Sequence, residues 1–289
     1  MDFQFLISQA LTNGLIIGLL YLLMAIGFTL VFGVMRVVNF AHGEFYMLGA
    51  FGAYICVTRL HLPFLTAVSV TFLAALVFGW LLEVIVLKAF RDDELSGMIT
   101  TIGLAMILQN GALLLFGPDP QSMPPVAEGV LSLGPIVMPK SRLYVVAFSV
   151  VVLIALYLFL MHSRIGRALR AVVQDSEIAS AQGINARFIY PLGFAIGIGL
   201  AAVAGALMAP VFSVSPSIGA TPLMKAFIVV ILGGLGSIPG AALASLLLGV
   251  TESVANTFLS SSASDMMLFA LVILMLIVRP AGLLGRLER

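Results

Sequence analysis

Apolar residues in this chain come in long unbroken runs rather than in stripes. Stretches at 11–32, 37–57, 62–87, 98–116, 143–161 and 189–212 each approach the roughly 20 mostly apolar residues that a membrane-spanning helix needs. A shorter run closes the chain at 266–278. The alternation expected of a transmembrane barrel strand is missing, so the runs predict helices. The region 223–259 is different. Its run Gly233-Gly234-Leu235-Gly236-Ser237-Ile238-Pro239-Gly240 should break any helix, leaving 225–235 and 241–259 as two short crossings or one re-entrant hairpin. The pattern predicts an all-α integral membrane protein. Residues 1–289 form a single domain, a polytopic bundle of about 8–9 transmembrane or membrane-embedded helices.

Composition removes the soluble alternatives. The chain is 61% hydrophobic and 9% charged, where a soluble domain carries about 25% charge. A formal net charge of +1 offers no field for nucleic acid. One cysteine, Cys56, excludes an internal disulfide framework and a multi-thiolate zinc site. His42, His61 and His162 have no metal-ligand spacing, so no metal site is expected. The chain also lacks a His-Glu-x-x-His motif, a Gly-x-Ser-x-Gly elbow and a P-loop lysine, which leaves no catalytic residues and no ATPase site of its own.

Positive charge gives an orientation. With the N-terminus outside, the inner side holds Arg36, Lys88, Arg91, Arg164, Arg167, Arg170, Arg187, Arg279, Arg286 and Arg289. The outer side holds only Arg59, Lys140, Arg142 and Lys225. The proline-rich stretch 117–142 then lies outside and 162–188 inside. Spans before 143 and after 187 run in opposite directions, and both halves carry a Gly-spaced helix, as either an inverted repeat or two ordinary Gly-rich helices would.

Few polar groups fall inside the runs, and each has two readings. Asn39, His42 and Tyr46 share one face of a helix opening at 37, with Glu44 about 140° from Asn39. Asn39, His42 and Glu44 are pathway or gate candidates, or else a polar start at headgroup level. Glu83, late in its span, reads as a snorkelling side chain. Glu252, with Asn256 one turn on, is a pathway candidate or an interhelical bonding group, and Gln109 and Asn110 suggest interhelical bonding too. Two deep acids are thin for a proton relay.

The segment 162–188 is the most informative. Arg164, Arg167 and Arg170 recur every three residues, suited to headgroups or an acidic partner. Asp175 or Ser176 can cap a short helix, Glu177 suits its first turn, and Gly183 can end it in a left-handed conformation. Ile178, Ala179 and Ala181 give it a small apolar surface. Such a rigid inner helix suits docking, and equally suits the bilayer interface.

Glu177-Ile178-Ala179, Gly183-Ile184 and the later Pro191 resemble the degenerate EAA loop of ABC importer permeases, although a strict EAA has alanine where Ile178 stands. Five stretches carry a more specific resemblance, from about residue 11 to 285: Gly14-Leu15 with Tyr21 through Gly27; Val38-Asn39-Phe40-Ala41-His42-Gly43-Glu44-Phe45; Gly166 through Ala171; Lys225-Ala226-Phe227 through Gly240; and Arg279-Pro280-Ala281-Gly282-Leu283. They are similar to the permeases of the high-affinity branched-chain amino acid (leucine/isoleucine/valine) importer family.

The resemblance implies a permease subunit of an ATP-driven ABC importer in the bacterial inner membrane, working by alternating access. It implies a second permease subunit, homologous or identical, two cytoplasmic ABC ATPase subunits and a periplasmic solute-binding protein. ATP and Mg would sit on the ATPases, with no cofactor on this chain. Arg167, Arg170, Asp175, Glu177, Ala179 and Gly183 would form the coupling element, and Gly233, Gly234, Gly236, Pro239 and Gly240 the backbone break. The alternative is an ion-driven secondary transporter or channel for a small solute.

Overall fold

The computed structural model describes residues 3–35, 37–90, 93–133, 136–279 and 281–284. Arg36, Arg91, Arg286, Arg289 and Pro280, used above, lie outside the described residues. Eleven α-helices are described: α1 Phe3–Met35, α2 His42–Thr58, α3 Phe64–Ile85, α4 Glu94–Phe116, α5 Lys140–His162, α6 Arg164–Gln174, α7 Ser176–Ala181, α8 Ala186–Met208, α9 Ala220–Gly233, α10 Ile238–Phe258 and α11 Ser261–Val278. Seven are long and apolar enough to cross a membrane: α1, α3, α4, α5, α8, α10 and α11. The chain is a multi-pass helical membrane protein. Between α4 and α5 lies an unforeseen hairpin, β1 Val130–Leu133 and β2 Ile136–Pro139, paired antiparallel. The Gln9 side chain, accepting Val137 N–H and donating to Val137 O, ties it to α1.

Inside a bilayer there is no water to drive helices together, so close backbone packing has to do it. Glycine supplies that in the two most buried helices, α1 and α8. They cross antiparallel where Gly27 meets Gly197, and a Cβ built on either glycine would lie 2.6 Å from the other's carbonyl oxygen. Gly14 and Gly18 seat the other part of α1 on the α10 backbone. Being apolar all round, α1 and α8 are fit for burial on every side. Helices α4, α5 and α11 are mostly exposed and apolar, a surface for lipid or for other subunits.

The packing pairs the helices of the two halves in matching ways. Helix α1 lies against α9 and α10 as α8 lies against α2 and α3, while α4 touches α2 as α11 touches α9. This is the contact pattern an inverted repeat gives; α1 and α8 cross antiparallel, and the hairpin with α5, α6 and α7 lies between the two sets α1–α4 and α8–α11.

Three expectations change. Helix α2 opens at His42, not 37, so Asn39 precedes the helix and shares no helical face with His42 and Tyr46. Glu83 does not snorkel; it is fully buried, one turn after Gly79, on the face of α3 that packs against Ala195 and Ile198 of α8. Asn110 bonds back to Met106 O of its own exposed helix rather than across to another.

Candidate functional site

Two helices start inside the bundle. A 14-residue helix such as α9 is about 21 Å long, less than the roughly 30 Å hydrocarbon core. Its N-terminus meets that of α2: a Cβ on Gly219 would collide with the Gly43 carbonyl, and one on Gly43 would lie 2.6 Å from Gly219 O. Ahead of each runs non-helical backbone, 37–41 and 209–219. The positive ends of two helix dipoles thus converge inside the bundle, an arrangement that favours a nearby anionic group.

Three of the candidate residues lie at this junction. Asn39 is buried, and its Oδ1 accepts the Ala41 N–H at 3.0 Å. His42 is fully buried, with Nε2 3.3 Å from Met24 O and its ring edge-on to Phe28. Glu44 is buried in the first turn of α2. Asn39 Nδ2, His42 Nδ1 and Glu44 Oε2 have no hydrogen-bond partner among the described residues.

Glu252, the fourth pathway candidate, belongs to a separate cluster that sequence reading assembled only in part. Lys225 Nζ lies 3.2 Å from Glu252 Oε1 and 2.7 Å from Asp265 Oδ1, and Tyr21 donates to Glu252 Oε2 at 3.1 Å. Helices α1, α9, α10 and α11 each contribute one member. The Lys225 and Glu252 side chains are 7% and 13% exposed; that of Asp265 is 53% exposed. Lys225 is therefore a structural ion inside the bundle, not the outer-loop charge that the orientation count assumed. The available signal was a lone lysine in an apolar run with an acid in the next apolar helix.

The backbone break works as a turn between α9 and α10. Gly234 (φ 99°) and Gly236 (φ 79°) take positive φ, and Ser237 Oγ caps α10 by accepting Gly240 N–H at 3.1 Å. Pro239 sits in the first turn of α10, where its missing N–H costs nothing. Gly240 packs directly on Gly233. The last described residues close this corner, with Leu283 and Leu284 N–H donating to Leu232 and Gly233 O at 2.7 and 3.1 Å.

At the other end of α8, 162–188 forms a rigid appendage. Ser163 caps α6 by accepting Gly166 N–H at 2.8 Å. Asp175 Oδ1 caps α7, accepting Glu177 and Ile178 N–H at 2.9 Å each, and Gly183 (φ 86°) follows its end. On its inner face Leu169 packs against Gly193 of α8, and Val173 against Gly33 of α1. The expected apolar surface of α7 is smaller than read, because Ala179 is buried beneath it while Glu177, Ile178 and Ala181 stay exposed. Arg167 is exposed and donates to His162 O; Arg170, part-buried, reaches Met161 Sδ.

Residues 10–277 match the family model described as branched-chain amino acid transport system / permease component. The chain is 37% identical over its full length to the high-affinity branched-chain amino acid transport system permease protein LivH of Escherichia coli K12, covering 99% of that protein. It is 37% identical to the corresponding permease protein BraD of Pseudomonas aeruginosa, over 97% of this chain and 96% of that one. It is also 30% identical to permease protein LivM of Escherichia coli K12, over 97% of this chain and 71% of that one. No solved structure matches it. A match of this length, on a bundle that packs its motif glycines at helix crossings, places the chain in the family of permease components of branched-chain amino acid transport systems.

Proposed function

We propose that this chain is one of two permease subunits of an ATP-driven importer for branched-chain or related amino acids. It is a multi-pass protein of the inner membrane and a transport component rather than a catalyst. ATP and Mg would be bound by two cytoplasmic ATPase subunits, with a periplasmic solute-binding protein delivering the amino acid outside. Relatives named as two different permease proteins, LivH and LivM, both match this chain, which supports a second permease of the same kind as the partner.

The observation that carries the reading is the mechanical position of α6 and α7. Their exposed side offers Glu177, Ile178 and Gly183 to a partner, while Leu169 and Val173 grip α8 and α1. Those two helices cross at Gly27 and Gly197, beside His42. A push from an ATPase on α7 would therefore reach the junction of α2 and α9 through two stiff helices, and tilt one repeat against the other. Asp265, in the first turns of apolar α11, is half exposed although Lys225 pairs with it. A charged side chain is disfavoured against lipid, so we place the second permease or water against that face.

The test is to tag the C-terminus, extract gently, and identify proteins that co-purify in stoichiometric amount. A P-loop ATPase that is lost with Glu177→Lys or Gly183→Asp supports the reading. A lone protein that moves solute into liposomes without ATP refutes it, and normal uptake by either variant refutes the coupling assignment.

A further inference from the structure

Away from the junction and the ion cluster, a groove of about 850 Å³ opens on the side of the bundle, floored by α8 and walled by α3 and α5. Its lining is apolar apart from Ser69, whose hydroxyl is spent on Leu65 O. Phe64 and Phe148 rings, 6.0 Å apart, close one end and set α3 and α5 in register. Counting about 1.5 Å per residue along α3 from Leu65 puts Trp80 roughly 22 Å away, at the end where Gly79 meets Ala195 and where Ile165 of α6 joins the lining. A single leaflet is about 15 Å deep. The groove is thus long enough for an extended acyl chain that crosses its whole leaflet.

Charge identifies the headgroup. Arg164 immediately precedes the lining residue Ile165 and is exposed, and Arg167 is exposed one turn further on. Both lie in the first turns of α6, whose N-terminal dipole adds positive potential at the same mouth. An apolar slot with a basic rim matches one molecule of the surroundings: a phospholipid with its acyl chain in the slot and its anionic headgroup on the rim. The second permease is a poorer occupant, because the exposed charge that calls for a protein or water neighbour is Asp265 on α11, and α11 contributes nothing to this groove.

We propose that the α3–α5–α8 groove is a binding site for an anionic glycerophospholipid, held by its acyl chain against Trp80 and by its phosphate at Arg164. The bound lipid fills a gap that neighbouring helices leave open, so it fixes α5, and with it α6, against α8. This needs only the membrane location, not the importer reading, and its test does not use transport.

Trp80 is the chain's only tryptophan, which makes it a native reporter. The full chain is reconstituted in phosphatidylcholine vesicles with a small fraction of bromine-labelled acyl chains, carried by either phosphatidylglycerol or phosphatidylcholine. Trp80 fluorescence is expected to be quenched at a roughly fivefold lower fraction of the anionic lipid, the worth of one basic side chain near its headgroup. Arg164→Gln should shrink the difference between the two lipids, leaving what Arg167 and the helix dipole supply, and Ala155→Phe, which projects into the slot, should reduce quenching by both. Native mass spectrometry of the unsubstituted chain should retain one phospholipid per chain, which keeps the proposal testable if Ala155→Phe does not fold. Equal quenching by both lipids, an anionic preference undiminished by Arg164→Gln, or loss of all lipid under native conditions would overturn it. So would a disulfide-linked dimer formed through Ser69→Cys, because a second copy would then occupy the groove.

Discussion

Lys225→Met tests whether the buried ion cluster is held together by its lysine. At an effective dielectric near 20, the 3.2 Å approach to Glu252 is worth about 5 kcal/mol of gross attraction, most of which desolvation consumes. Removing the ammonium strands a carboxylate that is only 13% exposed, with Tyr21 as its remaining donor. Loss of one partner of a buried pair costs about 3–5 kcal/mol. Asp265→Asn should cost much less, about 0–1 kcal/mol, because that carboxylate is half exposed and Glu252 still holds the lysine. The Lys225→Met/Glu252→Gln pair should recover most of the loss, since both buried charges go together and Tyr21 can still donate to the amide oxygen. The assay is the midpoint of heat-induced loss of the monodisperse peak in size-exclusion chromatography, on wild type, Lys225→Met, Glu252→Gln, Asp265→Asn and the double variant, all purified in one detergent. The expected order of damage is Lys225→Met well above the double variant, with Asp265→Asn near wild type. Equal damage from Asp265→Asn and Lys225→Met, or simple additivity in the double variant, would refute the reasoning.

Further substitutions probe other contacts. Gly197→Val would drive its side chain into Val31 and the Gly27 carbonyl, so we expect no monodisperse protein from a fluorescent fusion, while Gly103→Ala, with open space around it, should purify normally. Asp175→Ala removes the cap of α7, at about 1 kcal/mol, and should weaken ATPase co-purification while the chain's melting midpoint barely moves. At Gly183, Asn should retain the ATPase better than Val, because asparagine tolerates positive φ where a β-branched residue pays about 1–2 kcal/mol or more. Tyr21→Phe removes a hydrogen bond to a carboxylate and should lower the melting midpoint by the equivalent of about 1.5–3 kcal/mol.

Local features were legible because short-range rules govern them. Asp175 as a cap, Gly183 as a left-handed stop and the turn between Gly233 and Gly240 follow from residue type at a fixed offset, and each has that geometry in the fold. Errors came where a neighbouring helix decides. Hydropathy extended α2 back to 37 because Val37, Val38 and Phe40 are apolar, yet that stretch is non-helical and the helix starts at His42. Distance to the span end predicts a snorkelling Glu83, whereas its burial depends on which face α8 covers. Nothing near Lys225 in sequence marks it as an inner charge, because its partners Glu252 and Asp265 stand 27 and 40 residues away.

The sequence by itself determined the solvent and the building blocks. A chain with 9% charge cannot cover a surface in water, and in lipid its backbone must close its own hydrogen bonds as helices. Sequence could also supply the motif strings that carry the family. Only the tertiary structure decided that α1 and α8 cross antiparallel at Gly27 and Gly197, and that α2 and α9 begin against each other within the bundle. It alone joined Lys225, Glu252 and Asp265, and left a lipid-sized slot between α3 and α5. The physical reason is that helix formation is a local property of the chain. Which faces meet depends on backbone approach between segments far apart in sequence, and hydropathy is blind to it because lipid and protein interior are almost equally apolar.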